Sequence, residues 1–182
     1  MARSSNHVSI VIVLNGPLGI GKSTLAEALG ESLDACVMLD GDHVVAANPP
    51  PADEVAYLHE TLALLFAHHR LHGYRRFVIN HIWRTAGELE DLRSRLRGVD
   101  PAVDVRVFLL TLPLEENLRR IERRQSARAL DEIDFERETV ADERAALSDS
   151  AVALGEPFDV SAAPEELVVT LLQRLALEPP RS

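Results

Sequence analysis

The clearest chemical signal in this sequence is a glycine-rich stretch that carries a lysine and two hydroxyl residues. The stretch "GPLGIGKST" covers residues 16–24, between an apolar run that ends at Leu14 and a helical pattern that begins at Lys22. Glycines let the backbone curl so that successive N–H groups point into one hollow, and the start of a helix adds unpaired donors. We therefore predict that this stretch binds the phosphates of a nucleotide.

The spacing of the stretch fits the phosphate-binding motif G-x-x-x-x-G-K-[ST], or P-loop, in the strand-to-helix context that the motif requires. The lysine can reach the β- and γ-phosphates as a point charge, and the serine hydroxyl can coordinate Mg²⁺. We expect ATP and Mg²⁺ as ligands, with Lys22 also stabilising charge in catalysis and Ser23 as a metal ligand. The predicted nucleotide-binding residues are Gly16, Leu18, Gly19, Ile20, Gly21, Lys22, Ser23 and Thr24.

Two aspartates follow the second predicted strand, in "VMLDGDHV". Asp40 and Asp42 are two residues apart, so in an extended chain their side chains share a face. They stand at the carboxyl end of a strand, where open α/β sheets bind ligands. One carboxylate is predicted to serve Mg²⁺ and the other to accept the proton of an attacking hydroxyl. The alternative is a solvated Asp-Gly turn with no chemical role.

These residues must be positioned by the elements around them, and apolar runs alternate with helical patterns along the chain. Strand and helix follow each other about five times, which predicts right-handed crossovers and a five-stranded parallel sheet with helices on both faces. The expected fold class is therefore α/β, and the expected organisation is a single domain over 1–182. The predicted strands are 8–14, 36–39, 77–80, 103–112 and 157–160.

A charged segment between the fourth and fifth strands departs from this alternation. It contains "ENLRRIERRQSARALDE" at 116–132, with Arg120, Arg124 and Arg128 four residues apart on one helical face. The segment is predicted to be an insertion or lid at about 122–140 on the single domain. The alternative for these arginines is a solvated helix face held by salt bridges.

The bulk composition narrows the range of partners. The 182 residues carry a formal net charge of −10, which disfavours a general nucleic-acid binder. The single cysteine excludes an internal disulfide, and no apolar segment approaches the ~20 residues of a membrane span. We therefore expect a cytoplasmic protein that binds a nucleotide and a small-molecule acceptor, and the sequence leaves its oligomeric state undecided.

Together, the P-loop, the "LDGD" after the second strand and the arginine-rich segment resemble the small P-loop kinases. That family includes shikimate, gluconate and adenylylsulfate kinases and chloramphenicol phosphotransferase. The resemblance implies a P-loop NTPase three-layer sandwich, with Asp42 against the acceptor as the general base and Asp40 near the metal. It also implies a lid whose arginines close over ATP and neutralise charge on the transferring phosphoryl group. Arg124 and Arg128 are the candidates for that role.

The sequence differs from this family at the end of the third strand, where many relatives have an acidic residue. Here "FVINHIWR" offers Asn80 and His81 instead, and the glycine-pair motif of shikimate kinases is missing. His43, His81 and Arg84 follow strands on the carboxyl-end side. Together with Asp42, they are the candidate residues for binding the acceptor.

Two other functions fit the same core. The first is a 5′-hydroxyl nucleic-acid kinase, although Val45 stands where polynucleotide kinases have an arginine and the net charge is unfavourable. The second is a nucleotide-binding ATPase or switch with no acceptor, in which Asp42 would have no proton to take.

Overall fold

The computed structural model describes residues 8–124, 130–148 and 151–177, with the side chains of these ranges other than 124–137 and 148–152. The strands are β1 Ile10–Asn15, β2 Cys36–Asp40, β3 Arg76–His81, β4 Asp104–Thr111 and β5 Glu156–Asp159. They form one sheet in the order β2-β3-β1-β4-β5, and every pairing is parallel. The predicted α/β class with a five-stranded parallel sheet is confirmed.

Helices connect the strands and cover both faces of the sheet. They are α1 Lys22–Glu31, α2 Gly41–Val44, α3 Glu54–Leu71, α4 Ala86–Val99, α5 Leu114–Arg124, α6 Leu130–Ser148 and α7 Pro164–Arg174, with a short 3-10 helix at Ala151–Leu154. Because the carboxyl ends of parallel strands meet at one edge of the sheet, the loops that follow β1, β2 and β3 come together there.

The central strand β1 explains why its sequence is a continuous apolar run. Val11 and Val13 pack in the core beneath α3 and α4, whereas Ile12 and Leu14 pack in the core beneath α1 and α7. All four side chains are fully buried. Alternating residues of a strand point to opposite faces, so a strand covered on both faces must be apolar at every position.

Local capping signals fix the starts of two helices. Thr85 caps α4: its hydroxyl accepts from the Glu88 N–H while the Glu88 carboxylate accepts from the Thr85 N–H. This is the capping box that the sequence "TAGE" at 85–88 predicts. Asp53 caps α3 by accepting from the Ala56 N–H. Helix α3 ends at Leu71, two residues before Gly73, a residue type that commonly follows the end of a helix.

The expectation that Asp40 and Asp42 share a face of an extended chain is wrong. The strand ends at Asp40, and residues Gly41–Val44 form the short helix α2, which the sequence did not predict. The Asp40 carboxylate caps this helix by accepting from the Asp42 N–H at 3.0 Å. Asp42 therefore lies in the first turn of a helix, and its side chain points to partners of its own.

The arginine-rich segment is only partly described. Helix α5 carries its first half up to Arg124, and α6 carries its end. Arg128 and the Arg124 side chain lie outside the described residues, and of the predicted lid at about 122–140 the backbone of 125–129 and the side chains of 124–137 are not described. Among the described helices, none combines the length and the apolar character needed to cross a bilayer.

Candidate active site

The P-loop packs against helix α5, and two of its glycines are required by that packing and by the backbone. Gly19 and Gly21 have φ values of +72° and +107°, which L-residues with side chains rarely adopt. A Cβ on Gly19 would also lie 2.3 Å from the Ile121 side chain. The Lys22 ammonium donates to the carbonyls of Gly16 at 2.7 Å and Pro17 at 3.0 Å, which places its charge over the loop.

Asp40 sits at the centre of a group of oxygen atoms beside the P-loop. Its Oδ2 accepts from the Ser23 hydroxyl at 3.2 Å and from the Asn80 amide at 2.8 Å. Asn80 comes to this place because it is the register partner of Asp40 in the β2–β3 pair. A carboxylate next to a hydroxyl is the hard oxygen donor set that Mg²⁺ prefers, so these residues fit the ion.

Asp42 instead pairs with His81, at 2.8 Å between Oδ1 and the ring Nδ1. Gly41 permits this pairing, because a Cβ there would lie 2.7 Å from the Cβ and Cγ of His81. The hydrogen bond from His81, with the charges of Lys22 and His43, holds the pKa of Asp42 below its usual range despite some desolvation. The Asp42 side chain is 68% exposed, so an ionised carboxylate faces the solvent next to the P-loop.

A series of contacts through two largely buried side chains connects His81 to Asp91 on α4. The Trp83 ring packs edge-on against His81, with ring centroids 5.3 Å apart. The Trp83 indole N–H donates to Nε2 of the fully buried His59 at 2.9 Å, and His59 Nδ1 lies 2.7 Å from Asp91. Since Nε2 accepts from Trp83, the ring proton is on Nδ1 and is donated to Asp91. Trp83 is thus a core residue and not part of an acceptor pocket.

Asn15, the last residue of β1, fixes the backbone of the same loop to the strand that carries the P-loop. Its side-chain amide donates to the backbone carbonyl of Trp83 at 3.0 Å, and its side-chain carbonyl accepts from the backbone N–H of Trp83 at 2.9 Å. Asn15 is fully buried, so the β3–α4 loop is held rigidly beside the P-loop.

Glu143 on α6 joins the P-loop to the same β3–α4 loop. The buried carboxylate accepts from the Leu18 N–H at 2.7 Å and from the Arg84 guanidinium at 3.3 Å. The Leu18 N–H therefore points towards α6 and is already paired. Arg84, a candidate for binding the acceptor, is the partner of Glu143 in the structure.

A cleft with a volume of about 280 Å³ lies next to the P-loop. The Arg120 guanidinium donates to the carbonyls of Ile20 at 3.1 Å and Val160 at 2.7 Å, and so ties the loop to the segment before α7. The cleft is lined by Gly19, Gly21, Thr24, Leu25, Arg120, Arg123, Ala162, Pro164 and Leu167. Its apolar wall and its position next to the P-loop suit a nucleotide base.

The structure brings together most residues that the sequence singled out. Lys22, Ser23, Asp40, Asp42 and His81 share one edge of the sheet. His43 lines a separate cleft of about 410 Å³ with Ser23, Asp40 and Asn80.

Sequence reasoning missed Glu143, His59 and the bridging contacts of Arg120. A lone glutamate or histidine on a helix carries no spacing signal, because its partners come from distant parts of the chain. Arg120 belongs to the arginine row that the sequence did show, so its position alone could have suggested a contact with the P-loop. Among the described residues, no group of three or more histidine, cysteine or acidic side chains could hold a metal.

Comparison with known families places this geometry in context. Residues 11–149, which include the P-loop, Asp42, His81 and Glu143, match the AAA domain family. The chain belongs to the AAA domain family. No curated protein sequence matches this AAA domain protein.

Solved structures similar to this AAA domain protein share its fold over almost the whole chain. The tunicamycin resistance protein of Deinococcus radiodurans aligns with a TM-score of 0.67 and 18% identity, over 96% of this chain and 99% of its own. A gluconokinase from Sinorhizobium meliloti 1021 aligns with a TM-score of 0.59 and 19% identity, over 93% of each chain. The shikimate kinase of Bacteroides thetaiotaomicron aligns with a TM-score of 0.60 and 18% identity, over 92% of this chain and 99% of its own. These likenesses confirm the P-loop kinase fold that the motifs predicted.

Proposed function

We propose that this protein is an ATP-dependent phosphotransferase that moves the γ-phosphate to a hydroxyl group of a small molecule. The observation that carries the proposal is the separation of the two carboxylates. Asp40 is engaged with Ser23, and Asp42 stands apart, ionised, exposed and aligned by His81. An ATPase needs a metal-binding carboxylate, whereas a second aligned carboxylate at the same edge suits an acceptor hydroxyl.

In this proposal the nucleotide lies along the P-loop, with its base in the cleft beside Arg120 and Pro164. The backbone from Gly16 to Thr24 surrounds the phosphates, except that the Leu18 N–H donates to Glu143 instead. The ammonium of Lys22 leaves the loop carbonyls to contact the β- and γ-phosphates. Ser23 and Asp40 would hold Mg²⁺, which would neutralise charge on the phosphates.

Asp42 is the proposed general base. The acceptor O–H bond breaks as the new P–O bond forms, the proton goes to the Asp42 carboxylate, and ADP leaves with the electrons of the old P–O bond. His81 donates to Asp42 and keeps its carboxylate directed at the acceptor, and His43 and Arg84 border the same region. Arg124 and Arg128 in the proposed lid, about 122–140, are the candidates for stabilising charge on the phosphoryl group.

The charges at this edge favour a neutral or cationic acceptor. Among the described side chains, Arg84 is paired with Glu143 and His81 with Asp42, so a carboxylate on the acceptor would compete with existing partners. Nucleosides and amino sugars avoid that competition. The structural relatives include a shikimate kinase and a gluconokinase, whose substrates are acids, as well as a tunicamycin resistance protein.

The proposal is tested by measuring ADP release from ATP in the presence of each of a panel of hydroxylated acceptors. The panel contains nucleosides, amino sugars, sugar acids and a 5′-hydroxyl oligonucleotide. We expect one of the neutral or cationic compounds to raise ADP release above the rate with water. Asp42→Asn should lower that stimulated rate by about 10²–10⁴-fold, the usual contribution of a general base. Asp53→Asn is the matched control, because asparagine caps a helix as well as aspartate does.

The alternatives give different results in the same assay. If no acceptor raises ADP release and Asp42→Asn leaves the rate with water unchanged, the protein is an ATPase or switch and the kinase proposal is lost. If only the oligonucleotide is active, the acceptor is a nucleic acid. If sugar acids are the best acceptors, the argument from the paired cations is wrong although the kinase proposal stands.

A further inference from the structure

Leu18, the third residue of the P-loop motif, has both of its backbone groups bonded to side chains of helices distant in the sequence. Its N–H donates to the Glu143 carboxylate on α6 at 2.7 Å, and its carbonyl accepts from the Asn117 amide on α5 at 3.1 Å. Both side chains are buried, since Glu143 is 8% exposed and Asn117 is 0% exposed. Two helices thus hold one residue of the loop by its backbone.

Asn117 is buried although half of its amide is unsatisfied. Its Oδ1 has no hydrogen-bond partner within the described part of the chain, whereas its Nδ2 donates to the Leu18 carbonyl. The carbonyl requires a donor, so this bond fixes which end of the amide faces the loop. A buried acceptor without a partner lowers the free energy of unfolding, and an apolar side chain of similar size would avoid that cost. The asparagine at this position therefore points to the bond with the loop.

The geometry of the peptide bond converts these two contacts into directions for the N–H groups of the loop. The peptides on both sides of Leu18 are trans, so the C=O and the N–H of each point to opposite sides. The Pro17 carbonyl accepts from Lys22, so the Leu18 N–H points away from that ammonium and meets Glu143. The Leu18 carbonyl points to α5, so the Gly19 N–H points away from α5.

We propose that Asn117 and Glu143 are positioning residues for nucleotide binding. Together they fix the two peptide groups that flank Leu18, so that the Gly19 N–H is directed at the phosphates and the Leu18 N–H is kept out of the site. Donors that are fixed before a ligand arrives need no reordering when it binds, so this arrangement strengthens phosphate binding. The inference rests on the nucleotide site of the proposed function, but it depends neither on the acceptor nor on Asp42 as the base.

A glycine-rich loop needs such contacts from outside, because its own backbone is flexible. Gly19 has a φ of +72° and no side chain to restrict the peptides next to it. It lies against α5, where an added Cβ would be 3.2 Å from Nδ2 of Asn117 and closer still to Ile121. Arg120 holds a further peptide in the same way, by donating to the Ile20 carbonyl at 3.1 Å. One face of α5, at positions three and four residues apart, therefore contacts the loop.

Isothermal titration calorimetry with ATP, and with inorganic triphosphate as a ligand that has no base, tests the proposal on the full chain. Well below the melting temperature the dissociation constant reports the folded molecule alone, so a purely structural role would leave it unchanged. We expect Asn117→Leu to raise the dissociation constant of both ligands about tenfold over wild type, which corresponds to about 1.4 kcal/mol.

Glu143 is tested with two neutral replacements, so that its hydrogen bond is separated from its charge. Glu143→Gln keeps an acceptor for the Leu18 N–H, whereas Glu143→Leu keeps the bulk and removes the acceptor. We expect Glu143→Gln to bind both ligands at least as tightly as the wild type. Glu143→Leu should bind them about tenfold more weakly than Glu143→Gln, by the loss of one hydrogen bond.

Leu96→Ala is the control for a loss of stability, because Leu96 is fully buried in the last turn of α4. It should lower the melting temperature and leave both dissociation constants unchanged. If Asn117→Leu binds like the wild type and Glu143→Leu like Glu143→Gln, or if Leu96→Ala loses affinity equally, the proposal is overturned and the proposed function stands. If the wild type binds neither ligand, the phosphate site itself is wrong and both proposals fall.

Discussion

Gly41 gives the sharpest test of how the candidate base is positioned. Gly41 lies so close to His81 that an added Cβ would lie 2.7 Å from His81 Cβ and 2.8 Å from Nδ1, the atom that bonds Asp42. Ordinary carbon contacts begin near ~3.5 Å, so Gly41→Ala must displace the ring by the better part of an ångström. That displacement breaks the alignment of Asp42 without changing a single charge.

The expected cost follows from the contact. Overpacking by one methyl group lowers the free energy of unfolding by about 1–3 kcal/mol. In a chain of this size each kcal/mol lowers the melting temperature by roughly 2–4 °C. Gly98→Ala in α4 is the control, because nothing lies within 4 Å of its Cβ. A glycine replaced by alanine in a helix without a clash stabilises the fold by roughly 0.5–1 kcal/mol, so the two variants should move in opposite directions.

Two measurements follow the displacement. Thermal unfolding gives the stability, and the fluorescence of Trp83, the single tryptophan, reports the position of the His81 ring that packs against it. We expect Gly41→Ala to unfold at a lower temperature, to change the emission and to lose acceptor-stimulated ADP release. If Gly41→Ala is as stable as Gly98→Ala with unchanged emission, the reasoning about Gly41 and His81 is refuted.

Four further outcomes are expected. Lys22→Ala should abolish ATP turnover with an unchanged circular dichroism spectrum, and retained turnover would contradict the assigned phosphate site. Trp83→Phe keeps an aromatic side chain but removes the donor to buried His59. It should cost about 1–3 kcal/mol of stability for the unpaired Nε2, in addition to the cost of the cavity left by the smaller ring, measured by urea unfolding against wild type. Hydrogen bonds from His59 and Arg95 lower the pKa of Asp91, so its stabilisation is present above the ordinary carboxylate pKa and is lost as the pH falls through its lowered value. Asp91→Asn should therefore be less stable at neutral pH and less sensitive to acid, and an equal acid sensitivity would contradict the pairing. Burial raises the pKa of Cys36 to about 11, so a thiol reagent should label it far more slowly at pH 8 than after unfolding.

Much of the fold was predictable because its signals are local. Glycine spacing, the Thr85 capping box and the alternation of apolar runs with helical patterns are properties of neighbouring residues. The sheet order β2-β3-β1-β4-β5 was not predicted, because it depends on which crossover returns to which side of β1. The helix at Gly41–Val44 was missed because four residues are too few to show a helical period.

The candidate site shows the same difference between features set by neighbouring residues and features set by the folded chain. The sequence by itself determined that a phosphate-binding loop follows a buried strand and that two aspartates lie near the carboxyl end of the next strand, since each needs only a short run of residues. Only the tertiary structure decided that Asp40 faces Ser23, that Asp42 faces His81 and that Glu143 reaches the P-loop. These contacts join residues from 17 to 125 positions apart. No local pattern records such pairs, because parallel strand register and helix packing bring their partners together only in the folded chain.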